Sequence, residues 1–426
     1  MEFPHEPLPK QGIPTSDVLE RLAAAKVNDK DWAGGRVFSL VYDAGPEIHE
    51  LHGEALKLYS AENGLNVLAF PSIGLLSHDL VRISASLLGA DDPRSPEGIT
   101  GHLTSGGTES LLWAMKVARD EGYARGIKRP KVIASTSTHA TLTKAVDLFG
   151  IDLLRVPVDP ISFKADLSAM AAAIDDATIM LVGSAPSYPQ GVIDDISGLG
   201  QLALKHDLLL HVDGCLGGWL LPFLERLGHV DTPWNFTVPG VTSISADLHK
   251  YGYSSKGVSV VLYANADLAR RQLFLTDDWL GGFYASTTMA GTKPAGPIAA
   301  AWATLMHLGE AGYLELAEQT WDAARRLIDG VKAIEGLCLR GEPDMTVAAI
   351  GAQDPSQLDV FALGDYLVER GWYLDRQANP DSLHATVHAG SAKSVDALLV
   401  DLAAGVKAVA GQQAKDRSTT YATGEH

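Results

Sequence analysis

Between residues 131 and 263 the chain repeats one pattern: a short, largely apolar run rich in β-branched residues, a turn, then apolar residues at helical spacing. KVIAST (131–136) precedes THATLTKAVDLFG, and TIMLVGS (178–184) precedes a proline-containing turn and ISGLGQLALKHD. LLLHVD (208–213), VTSISA (241–246) and GVSVVLY (257–263) follow. Strands linked through helices lie parallel, and both of their faces are covered. The pattern therefore predicts an α/β fold with a mostly parallel sheet and helices on both sides. In such sheets ligands bind beyond the carboxyl ends of the strands. The residues just after each run are the ones to search for chemistry.

From Pro297 the pattern changes. AAWATLMHLGEAGYLELAEQTWDAARRLIDGVKAI keeps helical spacing, and CLRGEP, MTVAAIG and SLHATVHA are weaker strand candidates. These predict a smaller α+β domain beginning at about Pro294–Pro297. The expected organisation is an N-terminal segment (1–58), a large domain (59–296), a small domain (297–411) and a polar tail (412–426) that frays. With 34 Lys and Arg against 52 Asp and Glu, the net charge is −18. Nucleic acid and anionic membrane surfaces are excluded as partners by that field. Two cysteines, Cys215 and Cys338, are too few for a disulfide framework or a cysteine-based metal site. MEFPHEPLPKQGIPTSD has no basic and apolar leader, and no apolar stretch is long enough to span a bilayer. A cytoplasmic protein is expected.

Four local features stand where a ligand would lie. LTSGGTESLLWAMKVARD (103–120) places Gly-Gly before a helix, an arrangement that presents free N–H groups to a phosphate, although an ordinary capped helix reads the same way. Asp213 ends the run LLLHVD, where a carboxylate can pair with a protonated pyridine nitrogen or simply cap a turn. His211, in the same run, reads as a satisfied core or edge histidine rather than a ligand. Lys250 follows VTSISA, and a lysine there can form a Schiff base with an aldehyde cofactor. His139, just past KVIAST, can stack on a planar ring. Each alone has a structural explanation. Their order along the chain suits pyridoxal 5′-phosphate (PLP) on an aspartate aminotransferase-like (fold type I) large domain. No Walker or dinucleotide sequence is present.

TSGGTES, HVDGCLGG, SISADLHKYGYSSKG and DWLGGFYASTTMAGTKPAG resemble the sphingosine-1-phosphate lyases, within the group II PLP-dependent decarboxylase fold, from about Pro14 to Gly390. The membrane-spanning N-terminal segment of the eukaryotic members is not in this sequence. The resemblance implies that Lys250 is the Schiff-base lysine, Asp213 the pyridine-nitrogen partner and His139 the stacking ring. It places Gly107, Thr108 and His249 near the cofactor phosphate, and Thr292 at a position contributed by the other subunit of a homodimer. Tyr42 and Tyr188 match tyrosines near the substrate and are the candidate general bases. Lys256 matches a position that holds the substrate phosphate, with Asn63 beside it.

NGLNVLAFP departs from the family's Asn-Pro-Leu-His-Pro-Asp stretch: Asn63 is kept, Asn66 replaces the His and Leu68 replaces the Asp. Lys293 stands where the family usually has Arg, which keeps the charge but loses the two-pronged fork. The leading expectation is a PLP-dependent aldehyde-lyase acting on a 2-amino-3-hydroxy compound, a phosphorylated sphingoid base, to give an aldehyde and phosphoethanolamine. Amino-acid decarboxylation on the same scaffold is the alternative. A non-catalytic binding protein is a third reading, disfavoured because Lys250, Asp213 and His139 are all present.

Overall fold

The computed structural model describes residue 8 and residues 10–419. Seven strands form the large sheet: β1 (Thr100–Thr104), β2 (Lys131–Ser135), β3 (Asp152–Val156), β4 (Thr178–Ser184), β5 (Leu209–Asp213), β6 (Ser243–Ala246) and β7 (Ser259–Tyr263). Their spatial order is β1-β7-β6-β5-β4-β2-β3. Neighbours from β3 through β6 pair parallel, whereas β7 runs antiparallel to both β6 and β1. The five runs read from the sequence all fall on strands, and their ends agree within two residues.

Two strands of this sheet escaped the sequence pattern. β1 carries Gly101 and His102 rather than a β-branched run. Glycine is needed there because a Cβ on Gly101 would lie 2.0 Å from the Val261 carbonyl oxygen on β7. β3 is an edge strand and only its last residue is buried, so it lacks the fully apolar signature.

A two-stranded hairpin follows, β8 (Phe274–Thr276) with β9 (Tyr284–Ser286). Then β10 (Leu337–Leu339), β11 (Val347–Ala352), β12 (Asp375–Gln377) and β13 (Ser382–Thr386) form an antiparallel sheet in the order β10-β11-β13-β12. The helix Ala295–Ala333 joins the two sheets. It is interrupted at Gly309 (φ 55°), a left-handed conformation that glycine adopts without steric cost. Ile298, Leu305 and Tyr313 pack in the core under the large sheet, and Leu327, Ile328 and Val331 in the core of the small one. N-terminally, the helix Pro46–Leu58 lies on this long helix, and Val37 bridges to Tyr373.

The tail departs from the expected fraying over its described part. Ala414 N and the Arg417 guanidinium bond Asp359, Lys415 N bonds Asp365, and Arg417 also reaches Asp381. Basic tail residues meet a cluster of carboxylates that the sequence scatters over more than twenty positions. The rest of the predicted tail, 420–426, and residues 1–7 and 9 lie outside the described residues. Among the described residues no helix is long and apolar enough to cross a membrane.

Candidate active site

Because β1, β2, β4, β5 and β6 point the same way, the segments that leave their carboxyl ends converge. A cavity of about 530 Å³ opens there, and Tyr42, Gly107, Thr108, His139, Tyr188, Asp213, His249, Lys250 and Lys256 all line it. Asn63, Asn66 and Thr292 do not. Asn63 Oδ1 accepts from Lys293 N at 3.1 Å and Gly64 N donates to Lys293 O at 2.7 Å, so these loops form a separate cluster. It borders a second concavity of about 690 Å³ lined by Gly64, Leu65, Val67, Thr288 and Lys293. Asn66 turns its side-chain oxygen to Leu68 N (3.0 Å), and Leu68 is 91% exposed.

At the centre of the first cavity, Lys250 Nζ lies 3.0 Å from Asp247 Oδ2, and His249 Nε2 lies 3.7 Å from the same oxygen. Burial works to lower the Lys250 ammonium, but the Asp247 carboxylate reverses this and holds it well above the ordinary lysine range. Burial opposes the Asp247 charge in turn, and Lys250 and His249 more than offset that, leaving the carboxyl below its usual range. Sequence reading missed Asp247, although its place three residues before Lys250 in ADLHK signals a shared turn. Lys250 itself, with 25% of its side chain exposed, is more enclosed than a surface-loop lysine.

The helix Gly107–Ala124 aims its N-terminus at this cavity, and no side chain caps it. Its first N–H groups have no partner within the helix. A Cβ on Gly107 would sit 2.8 Å from both Asp247 Oδ2 and Cys215 Sγ, so any larger residue would displace the ion pair. The helix begins at Gly107, the second glycine of the pair, rather than after it. Thr108 instead meets Thr141 (Oγ1 to Oγ1, 3.3 Å), and Thr141 N donates to His139 Nδ1 at 3.2 Å. Burial lowers His139 first, outweighing Asp213, which favours the neutral ring, and a neutral ring that accepts from Thr141 N at Nδ1 carries its proton on Nε2.

Asp213 is fixed from below by a buried chain of polar side chains. β5 and β6 pair with His211 opposite Ser243 and Asp213 opposite Ser245. Residues two apart share a face of a strand, so all four point to one side while Val212 and Ile244 enter the core on the other. His211 Nδ1 lies 2.8 Å from Ser243 Oγ, Ser245 Oγ lies 3.3 Å from His211 Nε2, and Ser245 Oγ donates to Asp213 Oδ1 at 3.4 Å. A carboxylate only accepts, so Ser245 gives Asp213 its one proton, and His211 Nε2–H donates to Ser245. Burial holds His211 near 4, uncharged. Cys215 N adds a bond to Asp213 Oδ1 at 3.1 Å, and burial pushes the Cys215 thiol well up. His211 is thus the satisfied core histidine expected, and it also serves the site.

Lys256 is exposed as a residue, but its ammonium turns in, donating to His249 O at 2.9 Å and lying 5.1 Å over the Tyr42 ring. Burial and then the like charge of Lys250 pull it down to about 8.

These groups match the parts of PLP. Lys250 would offer the amine for its aldehyde, Asp213 a carboxylate for its pyridine nitrogen, His139 a flat ring, and the helix N-terminus a place for its phosphate. Independently, His249 Nδ1 and Asp247 Oδ1 are buried without a hydrogen-bond partner among the described residues, as polar atoms awaiting a polar ligand would be.

The pyridoxal-dependent decarboxylase conserved domain matches residues 14–349. The chain is 41% identical over 408 residues to the sphingosine-1-phosphate lyase of Arabidopsis thaliana, covering 95% of this chain and 74% of that one. The sphingosine-1-phosphate lyase structure from Burkholderia pseudomallei superposes with a TM-score of 0.90 at 37% identity, covering 94% of this chain and 92% of that one. The glutamate decarboxylase of Lactobacillus brevis, at 21% identity and a TM-score of 0.83 over 96% of this chain and 95% of that one, shares the fold. The chain is a PLP-dependent lyase and belongs to the sphingosine-1-phosphate lyase family of the pyridoxal-dependent decarboxylase fold.

Proposed function

We propose that the protein cleaves the Cα–Cβ bond of a phosphorylated 2-amino-3-hydroxy sphingoid base, releasing a long-chain aldehyde and phosphoethanolamine in sphingolipid breakdown. The observation that carries this reading is the pairing of two lysines in one cavity, Lys250 on Asp247 and Lys256 at the mouth. Bound PLP supplies an aldehyde that captures amines and a conjugated ring that accepts an electron pair. Lys250 would anchor it, and Asp213 would hold the pyridine nitrogen protonated. His139 would face the ring, while Gly107, Thr108 and His249 would hold the phosphate. Lys256 and Tyr42 face the substrate phosphate, and Tyr42 or Tyr188 takes the proton of the 3-hydroxyl. Leu40 and Met289, 53% and 45% exposed, line the same cavity and supply apolar surface for a hydrocarbon chain.

Asn63, Asn66 and Thr292 join the reading through a second subunit. Their loops adjoin exposed apolar side chains, Leu65, Val67 and Leu68 nearby and Phe274, Trp279, Leu280 and Phe283 on the hairpin segment. Such a surface favours burial against a second copy of the chain, giving a homodimer with shared sites. The two unpaired cysteines favour a reducing, cytoplasmic setting. Borohydride reduction followed by peptide mass spectrometry tests the anchor. PLP should be found on Lys250, and Lys250→Ala should lose both the adduct and turnover. An adduct on another lysine would overturn the assignment.

A further inference from the structure

The geometry points to Asp375, on the small sheet, as the positioning residue that makes Tyr188 the proton acceptor for the substrate hydroxyl; we infer this on the lyase reading above, which it deepens. Tyr188 lines the cavity, and its phenol donates to Asp375 Oδ2 at 2.8 Å. Its ring stacks on His384, with centroids 4.1 Å apart and planes at 26°. Asp375 and His384 are directly opposed in the β12–β13 register, so one cross-strand pair grips both the hydroxyl and the face of a residue from the large domain. His384 is held in turn by Gln377 Nε2 (3.1 Å to Nδ1) and by Thr386 Oγ1 (2.8 Å to Nε2), and Thr386 also lines the cavity. Burial keeps His384 near 4, so it is a neutral stacking plate and not a competing cation.

A tyrosine with an ordinary phenol, of pKa about 10, is ionised in only about one molecule in a thousand at pH 7. A carboxylate on the phenol proton removes that obstacle. As the 3-hydroxyl O–H of the substrate breaks, an O–H bond forms on the Tyr188 oxygen. The original Tyr188 O–H breaks in the same event, and its proton bonds to Asp375 Oδ2. Two O–H bonds break and two form, Tyr188 ends as it began, and one negative charge passes from Asp375 to the substrate oxygen. No further reagent is needed. The two tyrosines that the sequence left as alternatives are thereby separated, with Tyr188 as the proton acceptor.

The test is aldehyde release by the holoenzyme under single-turnover conditions, with wild type, Asp375→Asn, Tyr188→Phe and the double variant. General base catalysis of this kind contributes about 10²–10⁴-fold. Each single variant should lose on the order of a hundredfold or more in the cleavage rate with substrate KM within about threefold, and the double variant should be no slower than the worse single one. PLP affinity, read by fluorescence titration of the cofactor-free protein, should stay within about twofold in Asp375→Asn. A wild-type proton inventory in H₂O–D₂O mixtures should be bowed, as two protons in flight require, and this arm does not depend on any variant folding. A normal cleavage rate in Asp375→Asn, multiplicative losses in the double variant, a loss confined to PLP affinity, or a linear inventory would each overturn the inference. Absence of aldehyde from the wild type is a different result, which defeats the lyase reading on which the inference rests.

Discussion

The Lys250 ammonium is held 3.0 Å from the Asp247 carboxylate, inside a cavity where neither would stay charged alone. The pair fixes the lysine within reach of a cofactor and keeps it protonated until one arrives. Asp247→Asn removes the charge and leaves burial to act on Lys250, so its pKa should fall from above the lysine range to below it. Competitive acylation of the cofactor-free protein across pH, read by peptide mass spectrometry, gives that midpoint. A midpoint unchanged in Asp247→Asn would mean that other groups hold the proton.

Ser245 is a structural keystone beneath Asp213. It receives from His211 and Cys215 and donates to Asp213. Ser245→Ala leaves the buried His211 Nε2–H without an acceptor, a loss of about 1–3 kcal/mol. The urea midpoint should drop accordingly, and PLP should bind more weakly because Asp213 loses a donor. An unchanged midpoint and unchanged PLP affinity would mean that His211 does not donate to Ser245.

Lys256 is lowered to about 8 by burial and by Lys250, so its charge is present below that pH and lost above it. A phosphate-bearing substrate should therefore show kcat/KM falling as pH rises through about 8. Lys256→Arg stays charged and should flatten that limb. Lys256→Ala should raise KM about ten- to a hundredfold at pH 7, the size of one charged hydrogen bond of about 1.5–3 kcal/mol. A KM indifferent to both changes would remove Lys256 from the substrate site.

On the proposed pairing of Asp213 with the pyridine nitrogen, Asp213→Asn should cut turnover by orders of magnitude, since that nitrogen would lose the charge that keeps it protonated. Steady-state kinetics at saturating PLP separates this from weaker cofactor binding. A mild effect would leave Asp213 with only its bonds from Ser245 Oγ and Cys215 N.

What could be read from the sequence followed from local chemistry. Runs such as TIMLVGS are strands because β-branched residues fill a sheet buried on both faces, and Asp213, Lys250 and His139 stand out because polar residues directly follow those runs. What could not be read depended on long-range pairing. Asp375 lies 187 residues from the tyrosine it binds, and nothing in GWYLDRQ marks it. The His211–Ser245 contact needs the β5–β6 register, although HVD and SIS share the two-residue spacing that permits it. β1 was missed because Gly101 answers to the close approach of Val261, not to strand preference. The departures at Asn66 and Leu68 were visible, but their place in a loop paired with Lys293, away from the Lys250 cavity, was not.

On the proposed function, this site breaks a carbon–carbon bond between amino- and hydroxyl-bearing carbons. The most direct measurement follows the products of the PLP-loaded protein, given a phosphorylated sphingoid base in one reaction and carboxyl-labelled amino acids in another. Long-chain aldehyde and phosphoethanolamine should appear in equal amounts from the first, and no labelled CO₂ from the second. Labelled CO₂ without aldehyde would contradict it and make the protein an amino-acid decarboxylase.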